Sequence, residues 1–225
     1  MYRRLLFDSD TLRASHREFC CSLENGDRDL FNKKLSGCSQ CTKIYKRRAL
    51  VLPEGDWDSK YVFMGIYPGE EDEMLGRPFH PSSQTGRLFE TYLKELDIER
   101  HKIYLTNACF CRNMYGDPNK VEEVMTCQMW KLVERKKLVN AKYLFLLGQD
   151  ALRQTMGFGR TNSIVTEQGK IHEYSFDGKP LTVIPLYHPG FVMRRPGLKG
   201  NTFTALRYVR DYIKRKEADE LHENE

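Results

Sequence analysis

The sequence has no apolar run near the length of about 18 residues that a membrane-spanning helix requires, so no membrane partner is expected. Nor does it open like a secretory signal, because Met1-Tyr2-Arg3-Arg4-Leu5-Leu6-Phe7-Asp8 turns charged before an apolar segment can develop. Strong charge of one sign is also missing. The formal net charge of +5 over 225 residues leans toward nucleic acid without deciding for it. Internal repeats and low-complexity stretches are absent, which removes repeat arrays and compositionally biased tails. These absences leave a soluble, intracellular chain, expected in the cytoplasm.

Seven cysteines, an odd number without an export signal, fit a reducing compartment better than a disulfide scaffold. Four fall into two groups: Cys38-Ser-Gln-Cys41 early in the chain, and Cys111 with Cys127 in the middle. A close Cys-x-x-Cys pair joined by remote single thiolates suits an iron–sulfur cluster, which would staple an N-terminal segment onto a core. Four thiolates equally make a closed structural zinc site. A redox Cys-x-x-Cys and plain buried thiols are the remaining readings. Cys20, Cys21 and Cys109 stay outside this set and read as small buried hydrophobes.

The length and a hydrophobic content of 40% allow one sizeable α/β domain with an appended helical segment. Residues 1–36 carry helix-like apolar spacing interrupted at Glu24-Asn25-Gly26-Asp27, which predicts two short helices ending at Gly37. Short apolar runs predict buried strands over 61–65, 103–107, 143–148 and 181–186, and helical patterns fall over 86–96, 119–139, 149–156 and 202–216. Fully apolar strands alternating with helices imply a four-stranded, mostly parallel sheet covered on both faces, a three-layer α/β/α arrangement. The expected organisation is an N-terminal helical extension (1–36), a single domain (37–216) and a flexible tail (217–225).

In an open parallel sheet, ligands bind beyond the carboxyl ends of the strands. Three polar signals lie at such ends: Gly65-Ile66-Tyr67-Pro68-Gly69, Asn107 and His188-Pro189. Basic clusters occur at Lys43, Lys46, Arg47 and Arg48, at Arg194 and Arg195, and along Arg207 to Lys216; phosphate contact and a solvated surface are both open for each.

Taken together, Gly-x-x-Pro-Gly with trailing acids, Gly76-Arg77-Pro78-Phe79, Gly86, Leu105-Thr106-Asn107, Cys111-Arg112, Cys127, Leu147-Gly148 and Tyr187-His188-Pro189 resemble the uracil-DNA glycosylase superfamily, closest to its family-four iron–sulfur type. The resemblance covers about Cys38 to Ile213. It implies a uracil-DNA glycosylase-like fold, a [4Fe–4S] cluster held by Cys38, Cys41, Cys111 and Cys127 in preference to zinc, and a monomer acting on DNA that contains uracil or a modified pyrimidine, hence a nucleoid-associated enzyme. Cleaving the N-glycosidic bond requires a base extruded from the stack, an edge reader, a stacking ring and a donor aimed at the departing anion. By resemblance Phe79 stacks, Asn107 reads the edge and His188 donates to O2. Gly69, with Ile66 in the preceding turn, leaves room for the base. Ser82, Ser83 and Thr85 would meet flanking phosphates. Met193, Arg194 and Arg195 occupy the place of a loop that probes the minor groove.

The first motif departs from the family pattern. Family-four enzymes present Gly-Glu-(Ala or Gly)-Pro-Gly, whereas Ile66 and Tyr67 stand here. Neither is a base at neutral pH. The reaction then proceeds dissociatively on His188 and pocket electrostatics, with Tyr67 shaping access to position 5 of the pyrimidine, or the fold is redirected to binding DNA or a protein partner.

Overall fold

Apolar five-residue runs become the middle of a sheet because strands buried on both faces must be apolar on both. The computed structural model describes residues 3–4, 27–112, 121–156, 163–176 and 178–222. Strands β1 (Arg3–Arg4), β2 (Tyr61–Gly65), β3 (Ile103–Asn107), β4 (Tyr143–Leu147), β5 (His172–Phe176) and β6 (Lys179–Leu186) form one sheet in the order β1-β5-β6-β4-β2-β3. All neighbours are parallel except β5 and β6. The four expected strands lie together as β6-β4-β2-β3, and the sheet is wider than the expected four. β5 escaped the apolar-run criterion because His172-Glu173-Tyr174-Ser175-Phe176 alternates polar with apolar. The Asp177-Gly178 pair between it and β6 is a hairpin signal, and Gly178 takes φ +78°.

The two faces carry separate cores. Met64, Leu146 and Val183 face one layer while Phe63, Phe145 and Ile184 face the other, as period-two geometry requires. The first layer holds α1 (Arg28–Ser36), α4 (Val121–Lys137) and α5 (Gln149–Met156); the second holds α3 (Gln84–Leu96) and α8 (Lys199–His222). Two short helices, α2 (Glu70–Leu75) and α6 (Ile164–Glu167), lie in strand-to-strand connections, and α7 (Pro189–Arg194) joins β6 to α8. Among the described residues no helix is long and apolar enough to cross a membrane.

Helix α1 begins at Asp27, whose carboxylate accepts the Leu30 N–H at 2.8 Å, a side-chain N-cap. Its Phe31 and Leu35 are buried in the first core, with Phe31 edge-on to Trp57 and Trp130. This part of the expected extension is therefore a piece of the α-layer; the expected first helix, with Cys20 and Cys21, lies outside the described residues. At the other end, α8 continues through residues expected to be a flexible tail. Glu217 accepts the Tyr61 hydroxyl at 2.9 Å and pairs with Lys60 at 2.9 Å, and Glu220 meets Lys142. The acidic end of the helix is thus fastened to cations at the amino ends of β2 and β4.

Candidate active site and cysteine cavity

Register brings the strand ends together. Gly65 is opposite Asn107 in β2 and β3, and Leu147 is opposite Leu186 in β4 and β6. The chain leaves all four strands at one edge of the sheet, where a cleft of about 520 Å³ opens. Ile66, Tyr67 and Gly69 line one wall, His188, Gly190 and Arg194 the opposite wall, and Ser83 and Thr85 the rim. The chain segments after β2 and β6 thus share one cleft, whereas Asn107 at the end of β3 does not line it.

His188 lies two residues beyond β6 and caps α7: its Nδ1 accepts the Gly190 N–H at 3.1 Å. A ring nitrogen that accepts carries no proton, so neutral imidazole must hold its proton on Nε2. Burial, with the Arg194 charge adding to it, pushes the His188 pKa down to about 4. At neutral pH His188 is therefore an uncharged Nε2–H donor, and no acceptor among the described residues uses that proton.

Two glycines make the site compact. Gly148 has φ +99°, and a Cβ there would stand 2.7 Å from Ile66 Cδ1 and 3.2 Å from His188 Cβ. The two walls therefore meet across a hydrogen atom. At Gly65 a Cβ would stand 2.3 Å from Asn107 Oδ1 and 2.9 Å from the Phe79 ring. Phe79 and Asn107 do not line the cleft; both are buried behind it, around Gly65. Phe79 lies between Phe89 and His188, with ring centroids at 4.7 and 5.3 Å. Asn107 Oδ1 is buried without a hydrogen-bond partner, an arrangement that costs about 1–3 kcal/mol unless something satisfies it.

Arg100, which no motif singles out, fixes the turn that presents Phe79. Its guanidinium donates to the Pro78 carbonyl at 2.8 Å and the Phe79 carbonyl at 3.1 Å, and pairs with Glu54 and Glu90. These bonds hold Phe79 at φ +46°, a conformation that a bulky residue keeps only under tertiary constraint. Asp72 adds a second tie, accepting from the Gly69 N–H at 2.9 Å and the His80 N–H at 3.0 Å.

The serine–threonine rim has mixed duties. Ser83 is buried and caps α3 by accepting the Gly86 N–H at 2.8 Å, whereas Ser82 is exposed with its hydroxyl 2.7 Å from His80 Nδ1. Thr85 contacts Met193 Sδ at 3.7 Å, so Met193 is partly buried against the rim. Arg194 and Arg195 are the exposed members of that loop, and the Arg195 guanidinium lies 4.8 Å above the Phe191 ring.

Behind Tyr67 lies the second feature. Cys38, Cys41, Cys111 and Cys127 all line one small cavity floored by Leu35, Phe110 and Trp130. Cys109 is fully buried as expected, yet it hydrogen-bonds Cys127 and packs with Tyr67 and Val124 beside the cavity. Lys43, itself buried, donates to the Cys111 carbonyl at 2.9 Å. Among the described residues no three His, Cys, Asp or Glu side chains form a preassembled metal group, so a ligand's fit rests on the shared cavity and the donor chemistry.

The sequence model of the Uracil DNA glycosylase superfamily matches residues 52–210. The chain belongs to the uracil DNA glycosylase superfamily. Among curated proteins of that superfamily it is 30% identical over 166 residues to the Type-4 uracil-DNA glycosylase of Thermotoga maritima, covering 74% of this chain and 83% of the relative. It is 27% identical over 171 residues to that of Sulfurisphaera tokodaii, covering 74% and 76%, and 27% identical over 170 residues to that of Archaeoglobus fulgidus, covering 74% and 83%. The superfamily match spans both walls of the cleft and two of the four cavity cysteines, Cys111 and Cys127, and begins after Cys38 and Cys41.

Proposed function

We propose that this superfamily member is a DNA glycosylase that releases uracil or a 5-substituted uracil from DNA and leaves an abasic site. The observation that carries the reading is His188: a neutral Nε2–H donor on the wall of a cleft, facing the Gly-x-x-Pro-Gly turn. When the bond between the sugar C1′ and the base N1 breaks, its electron pair passes to the base and accumulates on O2. A fixed donor at that oxygen contributes about 3–4 kcal/mol because no reorganisation is needed as charge develops. Water supplies the oxygen that closes C1′ and the proton that the base finally takes up. Asn107 and Phe79 lie behind the cleft around Gly65, so they would act only once a seated base displaces that wall: the unpartnered Asn107 Oδ1 then suits an imide N–H, which uracil has at N3 and cytosine lacks, and Phe79, which backs the imidazole, would stack on the extruded base.

A [4Fe–4S] cluster suits the cysteine cavity: four thiols share it, the floor is apolar, and the buried Lys43 and half-buried Arg47 line it. Bound by Cys38, Cys41, Cys111 and Cys127, the cluster would staple the segment around residues 38–47 to α4; zinc is the alternative occupant of the same thiols.

A second reading follows from Ile66 and Tyr67. No carboxylate occupies the first motif to orient water, so the cleft could bind DNA or a protein partner without turnover. Oligonucleotides bearing uracil, 5-hydroxymethyluracil, hypoxanthine and thymine, incubated with the protein and then cleaved at abasic sites, distinguish the two. Base release abolished by His188→Ala supports the glycosylase; retained DNA affinity with no release from any substrate supports the binding protein.

A further inference from the structure

Arg47 has an unusual set of partners. Its Nη1 donates to Cys111 Sγ at 3.2 Å and its Nη2 to the Cys38 carbonyl at 2.8 Å. Among the described residues no carboxylate pairs with it. The other two cations beside the cavity each have a counter-ion: Lys43 stands 3.9 Å from Glu123, and Lys131 stands 2.5 Å from Glu134. A half-buried guanidinium whose side-chain acceptor is a neutral thiol would be poorly satisfied, since thiol sulfur is a weak acceptor and the charge lacks a partner. The same contact becomes a charge-assisted hydrogen bond when the sulfur is a metal-bound thiolate. The two bonds also join the Cys38-x-x-Cys41 segment to the Cys111 segment, the closure a bound cluster requires.

The geometry points to Arg47 as a positioning residue that sets the reduction potential and retention of the cluster through Cys111. This rests on the cluster reading proposed above. A donor and a positive charge at a ligand sulfur favour the more reduced, more negative cluster, so losing them moves the potential downward. Much of this interaction persists in both redox states, so we expect about a tenfold change in the reduction equilibrium, which is about 59 mV for one electron.

The test uses the full chain purified without oxygen, in wild-type, Arg47→Leu and Arg47→Lys forms, with iron and sulfide counted and folding checked by circular dichroism. Midpoint potential is read by protein-film voltammetry, and cluster loss by bleaching near 400 nm under a chelator. Expected are a potential lower by about 59 mV and several-fold faster bleaching in Arg47→Leu. Arg47→Lys should recover most of the potential, through its charge, and little of the retention, because it lacks the two-pronged geometry. Should Arg47→Leu fail to fold, Arg47→Lys alone decides: wild-type bleaching kinetics in it overturn the proposal. A cluster-loaded Arg47→Leu with wild-type potential and retention overturns the role of Arg47 and leaves the cluster intact. A colourless wild-type protein containing zinc overturns the cluster reading and this inference with it.

Discussion

The two walls of the cleft are built on opposite terms. On the His188 wall each group is already committed: Nδ1 to the Gly190 N–H, the ring to Phe79, and the proton to Nε2. On the facing wall Ile66 and Tyr67 bring bulk and a phenol where an acid would orient water, and Tyr67 packs backward onto Cys109 and Cys127. On the function proposed above, one wall would stabilise a leaving anion and the other would limit the space and the water around it. Departure of the base would then dominate the chemistry, and the shape of the second wall would select which base enters. Changing the walls one at a time separates these tasks.

The largest effect belongs to the donor. His188→Ala should lower the single-turnover rate of base release by about 10²–10³-fold, the usual loss for one preorganised donor, with DNA affinity nearly unchanged. Because the pKa of His188 is pushed down to about 4, wild-type release should stay flat from pH 8 to about pH 5. Stability follows the same group: the neutral ring is the folded form, so its contribution is complete above the ordinary value of 6.5 and is lost as pH falls from there toward 4. Urea midpoints of wild type and His188→Gln across pH 7.5 to 4.5 should converge at the acid end; a parallel pair of curves would contradict the depressed value.

How far the sequence reaches differs between the same two regions. Apolar runs located β2, β3 and β4 because strands covered on both faces leave no alternation to misread, and the strand-end rule then placed Gly65, Asn107 and His188 at one edge. The alternating β5 has no such run, although Asp177-Gly178 marks its turn. Arg100 was illegible as a functional position, and Arg47 stood out only as a member of a basic cluster, because their partners are backbone carbonyls, a sulfur and acids far away in the chain, contacts without a local pattern. Lys131 and Glu134 were likewise invisible: at helical spacing they look solvated, yet they are buried with Tyr104 and Thr106. Phe79 and Asn107 were placed by resemblance in the pocket and lie behind it, because Gly65 lets both pack tightly against β2.

Next in size is the contact between the walls. Gly148→Ala forces a Cβ into a conformation with φ +99° and within 2.7 Å of Ile66, which should cost about 1–2 kcal/mol of stability from the backbone alone. Ile66 or His188 must also shift, so base release should fall about tenfold or more. A variant with lowered melting temperature and unaltered release would mean that the walls act independently. Smaller again is the effect of trimming the second wall. Tyr67→Ala should change the ratio of kcat/KM for 5-hydroxymethyluracil over uracil by about tenfold, the scale on which pocket shape discriminates, while leaving the uracil rate within a few-fold. A ratio that does not move assigns Tyr67 to packing against the cysteine side alone.

The smallest predicted effect lies on the exposed edge of the His188 wall. Arg195 is accessible, its guanidinium rests on Phe191, and among the described residues no carboxylate pairs with it. On the DNA-binding function proposed above, a cation so placed would add phosphate attraction without reading bases. Arg195→Ala should therefore weaken DNA binding a few-fold and equally for uracil-containing and undamaged duplexes, and reduce the slope of log K against log salt by about 1. Arg194 lines the cleft and repels a proton on His188, so Arg194→Ala should give the same loss of salt dependence and in addition raise the His188 pKa from about 4. Nuclear magnetic resonance titration of the His188 ring in the two variants separates them: a shift in Arg194→Ala and none in Arg195→Ala is expected, because only the first guanidinium acts on the imidazole.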